Sequence, residues 1–129
     1  MTPHLYIHCV FLPVTNLKRS IHWYSTTFGF RLLWVNGNFA SSCLDPSGAK
    51  LTMARVENVA PLQFDHHGKP HPILTLGTPD IQSFHHSLLE AGASPSPIMS
   101  FHDGHTCFIV RDPDDHPVYI SRITAHEHS

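Results

Sequence analysis

Cys9, Tyr119 and a scatter of histidines are the residues of this sequence whose side chains could do chemistry. A cysteine is a nucleophile only where its thiolate is stabilised, and a tyrosine beside a histidine can act as acid and base. Thirteen histidines are an unusual number for 129 residues, but they are scattered along the chain. His66, His67 and His71 are close in sequence, yet the Asp-His-His-Gly-Lys run around them suits a solvated connector better than a metal site. Their shared consequence is a steep rise in positive charge below about pH 6.5. No GxSxG turn, glycine-rich phosphate loop or HExxH helix occurs. Trp34 and Phe39 are candidates for an aromatic pair facing a ligand, whereas Trp23 and Tyr24 fall on a helix and should pack onto a sheet.

The elements that position these residues centre on the stretch Leu12-Pro13-Val14-Thr15-Asn16-Leu17 and the helix it opens. An apolar, β-branched run over 5–14 reads as a strand. Asn16 can cap a helix, because its side-chain oxygen accepts an N–H left unpaired in the first turn. Apolar residues then recur at helical spacing (Leu17, Ile21, Tyr24, Phe28) over a helix at 17–27, and Gly29 stops it. Strands come next over 30–36, 39–44 and 50–56, the last two joined by the Asp45-Pro46-Ser47-Gly48 turn. The order is β-α-β-β-β.

The same order returns. Thr78-Pro79-Asp80-Ile81 repeats the cap and helix start, with Gly92 in the place of Gly29. Arg111-Asp112-Pro113-Asp114-Asp115-His116 repeats the Asp-Pro turn before an alternating strand. Two echoes in one order, each offset by about half the chain, indicate a duplicated module. The second copy has strands over 73–78, 96–101, 105–110 and 117–123 and a helix over 80–90, its 96–101 strand weakened by Pro97. One domain over 1–129 results: a module at 4–56, a connector at 57–70 and a module at 71–123. The fold class is α+β.

Composition narrows the function. A net charge of −2 gives no electrostatic case for nucleic-acid or membrane-surface binding. No apolar run is long enough to span a bilayer, and Met1-Thr2-Pro3-His4 does not begin a signal peptide. Three cysteines without CxxC spacing suit a reducing cytoplasm. Strand parity separates uniformly apolar rows (Val10, Leu12, Val14; Leu51, Met53; Leu74, Leu76; Val118, Ile120), expected beneath the helices, from mixed rows. The mixed rows hold Cys9, Phe11, Thr52, Ile73, Thr75, Tyr119 and Ser121. Facing a concavity, such a mixture would suit a small ligand, with Trp34 beside it.

The apolar first strand, Val14-Thr15-Asn16-Leu17-Lys18-Arg19-Ser20, the Trp23-Tyr24 pair and Phe28-Gly29-Phe30 resemble the vicinal oxygen chelate superfamily. That superfamily includes glyoxalase I, bleomycin resistance proteins and extradiol dioxygenases. Thr78-Pro79-Asp80-Ile81 and Asp112-Pro113-Asp114-Asp115-His116 match its second half. The resemblance implies two βαβββ modules forming a half-open barrel, commonly in a homodimer. It also implies four metal-ligand positions, which fall here on Cys9, Thr52, Ile73 and Tyr119. None of the four is an ordinary ligand for a hard divalent ion. The resulting expectation is a metal-free, homodimeric barrel binding a small, partly apolar or aromatic molecule. The alternative is a metal-dependent lyase, isomerase or dioxygenase with ligands relocated to His8, His71 or the loop histidines.

Overall fold

The structure, a computed structural model, describes residues 4–101 and 103–122. Its contacts divide the chain into two units, Met1–Val59 and Ala60–Ser129.

In the first unit Asn16 caps the helix as its residue type predicts, with Oδ1 accepting the Arg19 N–H at 3.0 Å. Strand β1 (Cys9–Val14) leads into helix α1 (Leu17–Phe28). Gly29 then takes φ 85°, a left-handed conformation that an L side chain resists, and its N–H closes the helix on Ser25 O. Strands β2 (Arg31–Asn36), β3 (Phe39–Cys43) and β4 (Lys50–Arg55) complete the unit's sheet. The sheet order is β1-β4-β3-β2, with β1 parallel to β4 and the other pairs antiparallel. Leu12, Val14, Ala40, Leu51 and Met53 are buried with Tyr24 and Phe30, whose rings meet edge-to-face with centroids 5.6 Å apart.

Two expectations need correcting here. The first strand starts at Cys9 rather than residue 5, and Val10 is exposed although its row was expected to be covered. The cause is the length of the neighbour. Strand β4 begins at Lys50, which pairs with Cys9 and donates to His8 O, so residues before His8 have no ladder to join.

The second unit repeats the plan with one addition. Strand β7 (Leu74–Thr78), helix α2 (Ile81–Glu90), β8 (Met99–Ser100), β9 (Thr106–Arg111) and β10 (Pro117–Arg122) form a sheet of order β7-β10-β9-β8. This is the first sheet's order moved on by one module, as duplication requires. Asp80 Oδ1 accepts the Ser83 N–H at 3.1 Å, as Asn16 does for α1. Phe108, Val110, Val118 and Ile120 are buried, and Phe108 meets the rings of Phe84 and His85 from α2. Pro97 is outside any strand, leaving β8 two residues long. The expected last strand extended to Ile123, which lies outside the described residues.

The addition is a hairpin, β5 (Gln63–His66) and β6 (Lys69–Pro72), where a connector without regular structure was expected. His67 (φ 52°) and Gly68 (φ 82°) make its two-residue turn, the conformation that suits the twist of a tight hairpin. His66 pairs with Lys69 across that turn, so bonded pairs alternate from there and Pro70 and Pro72 fall on the unbonded positions. Neither proline removes a ladder bond. Among the described residues no helix is long and apolar enough to cross a membrane.

Candidate functional site

Each sheet has one face turned away from the buried rows, and the mixed rows lie there. In the first unit, strand register places Phe11 beside Thr52, Thr52 beside Ser41, and Ser41 beside Trp34. Trp34 reaches this face because of a bulge. Leu32 pairs with Ser42, Leu33 is skipped, and Trp34 pairs with Ser41 instead of the core residue Ala40. Thr52 and Ser41 are buried, and the Thr52 hydroxyl donates to Ser41 Oγ at 3.4 Å. Around them the aromatic groups stay open: Phe11 is 62% exposed, Trp34 48% and Phe39 44%. Phe11 and Phe39 meet edge-on, with centroids 6.3 Å apart.

Cys9, half-buried, pairs across the sheet with Lys50. The Lys50 ammonium does not serve this face, because it donates to Pro46 O (3.1 Å) and Gly48 O (3.3 Å) in the neighbouring turn. Asp45 holds that turn by accepting the Ser47 N–H and hydroxyl, which lower its carboxyl below the usual range.

In the second unit Tyr119 stands between Thr75 and Ile109, and Ser121 between Gly77 and Cys107. The Cys107 thiol, fully buried, donates to the Tyr119 hydroxyl at 2.8 Å. The His71 ring, from β6, rests on Tyr119 with centroids 5.4 Å apart, and the Phe64 ring of β5 lies 4.8 Å from it. Ile73 is outside the strands, at the bend between β6 and β7, and is exposed. The structure therefore brings Tyr119, Thr75 and Ser121 onto one face and sets Ile73 apart from the strand row. His71 supplies the ring that packs there.

Ser41, Cys107 and Ile109 are not among the residues that the sequence singles out. The parity that selects Thr52 and Tyr119 works on the strands that open and close each repeat. Extended one strand further, to β3 and β9, it yields all three. His71 has no such signal, because it reaches Tyr119 through the unforeseen hairpin.

Burial raises the Tyr119 phenol to about 12, with the Cys107 hydrogen bond adding to it. The folded chain thus keeps this proton at pH values where an unfolded tyrosine, near 10, has lost it. The protonated fold is favoured, so this contribution is present below about pH 10 and is lost as pH rises toward 12. Urea midpoints should fall more steeply between these values for the native chain than for Tyr119→Phe. Equal slopes would show that the phenol is not held in this way.

Among the described residues, no three His, Cys, Asp or Glu side chains come together so as to hold a metal ion. The four positions that the resemblance assigns to ligands carry a thiol, two hydroxyls and an isoleucine. These residues do not fit a divalent metal of the kind the superfamily's enzymes use. A cleft of about 220 Å³ lies on the α2 side of the second sheet, among Asp80, Ile98, Ser100, Thr106 and Arg122. Thr106 and Arg122 have the opposite strand parity to Cys107 and Ser121, so the cleft is separate from the Tyr119 face.

The profile of the Glyoxalase/Bleomycin resistance protein/Dioxygenase superfamily matches residues 6–127. No curated protein sequence matches the chain. Among solved structures, TnmS3, an antibiotic binding protein from Streptomyces sp. CB03234, is 16% identical with a TM-score of 0.72, covering 96% of this chain and 100% of its own. TioX from Micromonospora sp. ML1 is 23% identical with a TM-score of 0.68, covering 91% and 98%. Lactoylglutathione lyase from Agrobacterium tumefaciens is 14% identical with a TM-score of 0.70, covering 94% and 96%. Identities this low establish a shared fold and leave the chemistry to the residues of this chain.

Proposed function

The chain belongs to the Glyoxalase/Bleomycin resistance protein/Dioxygenase superfamily, and from that premise we propose that it binds a small, partly apolar or aromatic molecule without a metal ion. The observation that carries this reading is the first sheet's open face, where Phe11, Trp34 and Phe39 surround the Thr52–Ser41 hydroxyl pair. Exposed rings offer stacking area, and hydroxyls at their base offer hydrogen bonds to a neutral group. The Tyr119 face repeats that combination in the second unit, and the raised phenol stays protonated at neutral pH, able to donate. Among the described residues, the His71 imidazole beside Tyr119 is not joined by two further His, Cys, Asp or Glu side chains, so the donor set falls short of what a Lewis-acid mechanism requires.

Thermal-shift screening of planar aromatic and antibiotic-like molecules tests the proposal, with titration of any hit. Tyr119→Phe should weaken a ligand bonded to that hydroxyl by about 0.5–1.5 kcal/mol, and Trp34→Ala should weaken a ligand stacked on the indole by about 1 kcal/mol. A hit indifferent to both would place binding elsewhere. Elemental analysis of tag-free protein grown with added zinc, nickel or manganese should find no stoichiometric ion. A tightly held metal in every chain would favour the metal-dependent lyase, isomerase or dioxygenase reading.

The same proposal includes a homodimer in a reducing cytoplasm. Strand β2 is an edge strand, and Leu32, Leu33, Trp34 and Val35 on it are all exposed. An uncovered apolar edge of this kind is usually paired or protected. Sedimentation should give a dimer at micromolar concentration, and a monomer across neutral pH would remove this part.

A further inference from the structure

His116 ends the Asp-Pro turn before β10 and is 1% exposed. Its Nδ1 accepts the Leu62 N–H at 2.9 Å. A backbone amide can only donate, so Nδ1 carries no proton and the ring is the neutral tautomer protonated at Nε2. Leu62 immediately precedes the β5–β6 hairpin, and the hairpin carries His71 onto Tyr119. One neutral imidazole therefore anchors the root of the segment that covers the Tyr119 phenol. Protonating Nδ1 would set a donor against a donor in a buried place, where a lost hydrogen bond is not replaced by water.

We infer that His116 is a proton-operated latch: neutral, it holds the β5–β6 hairpin over Tyr119, and protonated, it lets the hairpin loosen. As regulation of the proposed ligand face this rests on the binding reading above, whereas the latch itself does not. The charged groups near His116 include those of its own turn. Asp112 accepts the His116 backbone N–H at 2.8 Å, with Asp114, Asp115 and Arg111 beside it. Leu62, whose amide meets the ring, and its neighbours Ala60 and Pro61 bring no ionisable side chain. His71 is the second imidazole of the device, facing His66, Phe64 and Tyr119.

Amide exchange measured by NMR tests the latch directly. Each rate is divided into the intrinsic rate at the same pH, and the Ser20 amide, bonded to Asn16 O in α1, is the control. As the pH is lowered from about 7.5 to about 5.5, Leu62 protection should fall at least tenfold while Ser20 protection holds. His116→Asn puts an amide oxygen where Nδ1 was, accepts the same N–H and binds no proton. Leu62 protection in that variant should stay level.

A constant Leu62 protection in the native chain would overturn the latch. So would an equal fall in His116→Asn, which would move the effect to His71, or a matching fall at Ser20, which would mean general unfolding. Should the variant not fold, the native His116 ring and the Leu62 amide must titrate with one midpoint, and two separate midpoints overturn the proposal. Affinity for a screened ligand, measured over the same span, should change with Leu62 protection. A working latch with unchanged affinity would reject the Tyr119 face as the ligand site and leave the latch standing.

Discussion

Phe108→Ala is expected to lower the unfolding free energy by about 3–5 kcal/mol, the range for truncating a fully buried aromatic ring. Phe108 is 0% exposed on β9, paired with Ile120 of β10 and covered by Phe84 and His85 of α2. It is thus a residue through which the second helix grips its sheet. The cost has two parts, the lost burial of the ring and the cavity left between a helix and a sheet that cannot close fully. Phe108→Leu keeps most of the volume and should cost less than about 1.5 kcal/mol. Urea unfolding monitored by circular dichroism measures both. A loss below about 1.5 kcal/mol for the alanine variant would mean that the helix settles onto the sheet without the ring.

The second large effect belongs to a carboxylate. Asp112 is 6% exposed, and its Oδ1 accepts the N–H groups of Asp114 (2.9 Å) and His116 (2.8 Å). Between them Asp115 sits at φ 66°, an unfavourable region for a residue with a side chain. Asp112 therefore holds together a turn that would not choose its own backbone conformation. Asp112→Ala leaves two donors without that acceptor and should cost about 2–4 kcal/mol, since hydrogen bonds to a charged group are among the stronger ones. Asp112→Asn retains an acceptor oxygen and should recover more than half of the loss. If alanine and asparagine prove equally harmful, charge rather than hydrogen bonding holds the turn.

Much of this organisation is legible in the sequence because it depends on local chemistry. Asn16 and Asp80 announce helix starts through their own side-chain bonds, and Gly29 announces a stop through a backbone angle that favours glycine. Alternation finds β4 and β10 because each sets an apolar row, Leu51 and Met53 or Val118 and Ile120, against a polar or mixed one, Thr52 or Tyr119 and Ser121. The β5–β6 hairpin leaves no such trace. Its residues are mostly exposed, so no face demands apolar side chains, and its turn uses His67-Gly68 where Asn-Gly or Asp-Gly would have been recognised. The bulge at Leu33 is hidden for another reason. Every residue of β2 is exposed, and a strand without a buried face does not reveal its register. The partnership of Cys107 with Tyr119 lies between these cases, since each residue's face comes from parity but their hydrogen bond needs the paired strands.

The two sheets share an order, and neither borrows a strand from the other half of the chain. That matters during synthesis. Strand β1 waits only for β4, so every partner in the first sheet has been made once Arg55 is added. The nascent chain can then seal its first apolar layer outside the ribosome while the second half is still being translated. The order of emergence matches the order of pairing, so the covering of Leu12, Met53 and Tyr24 waits for no strand of the second half.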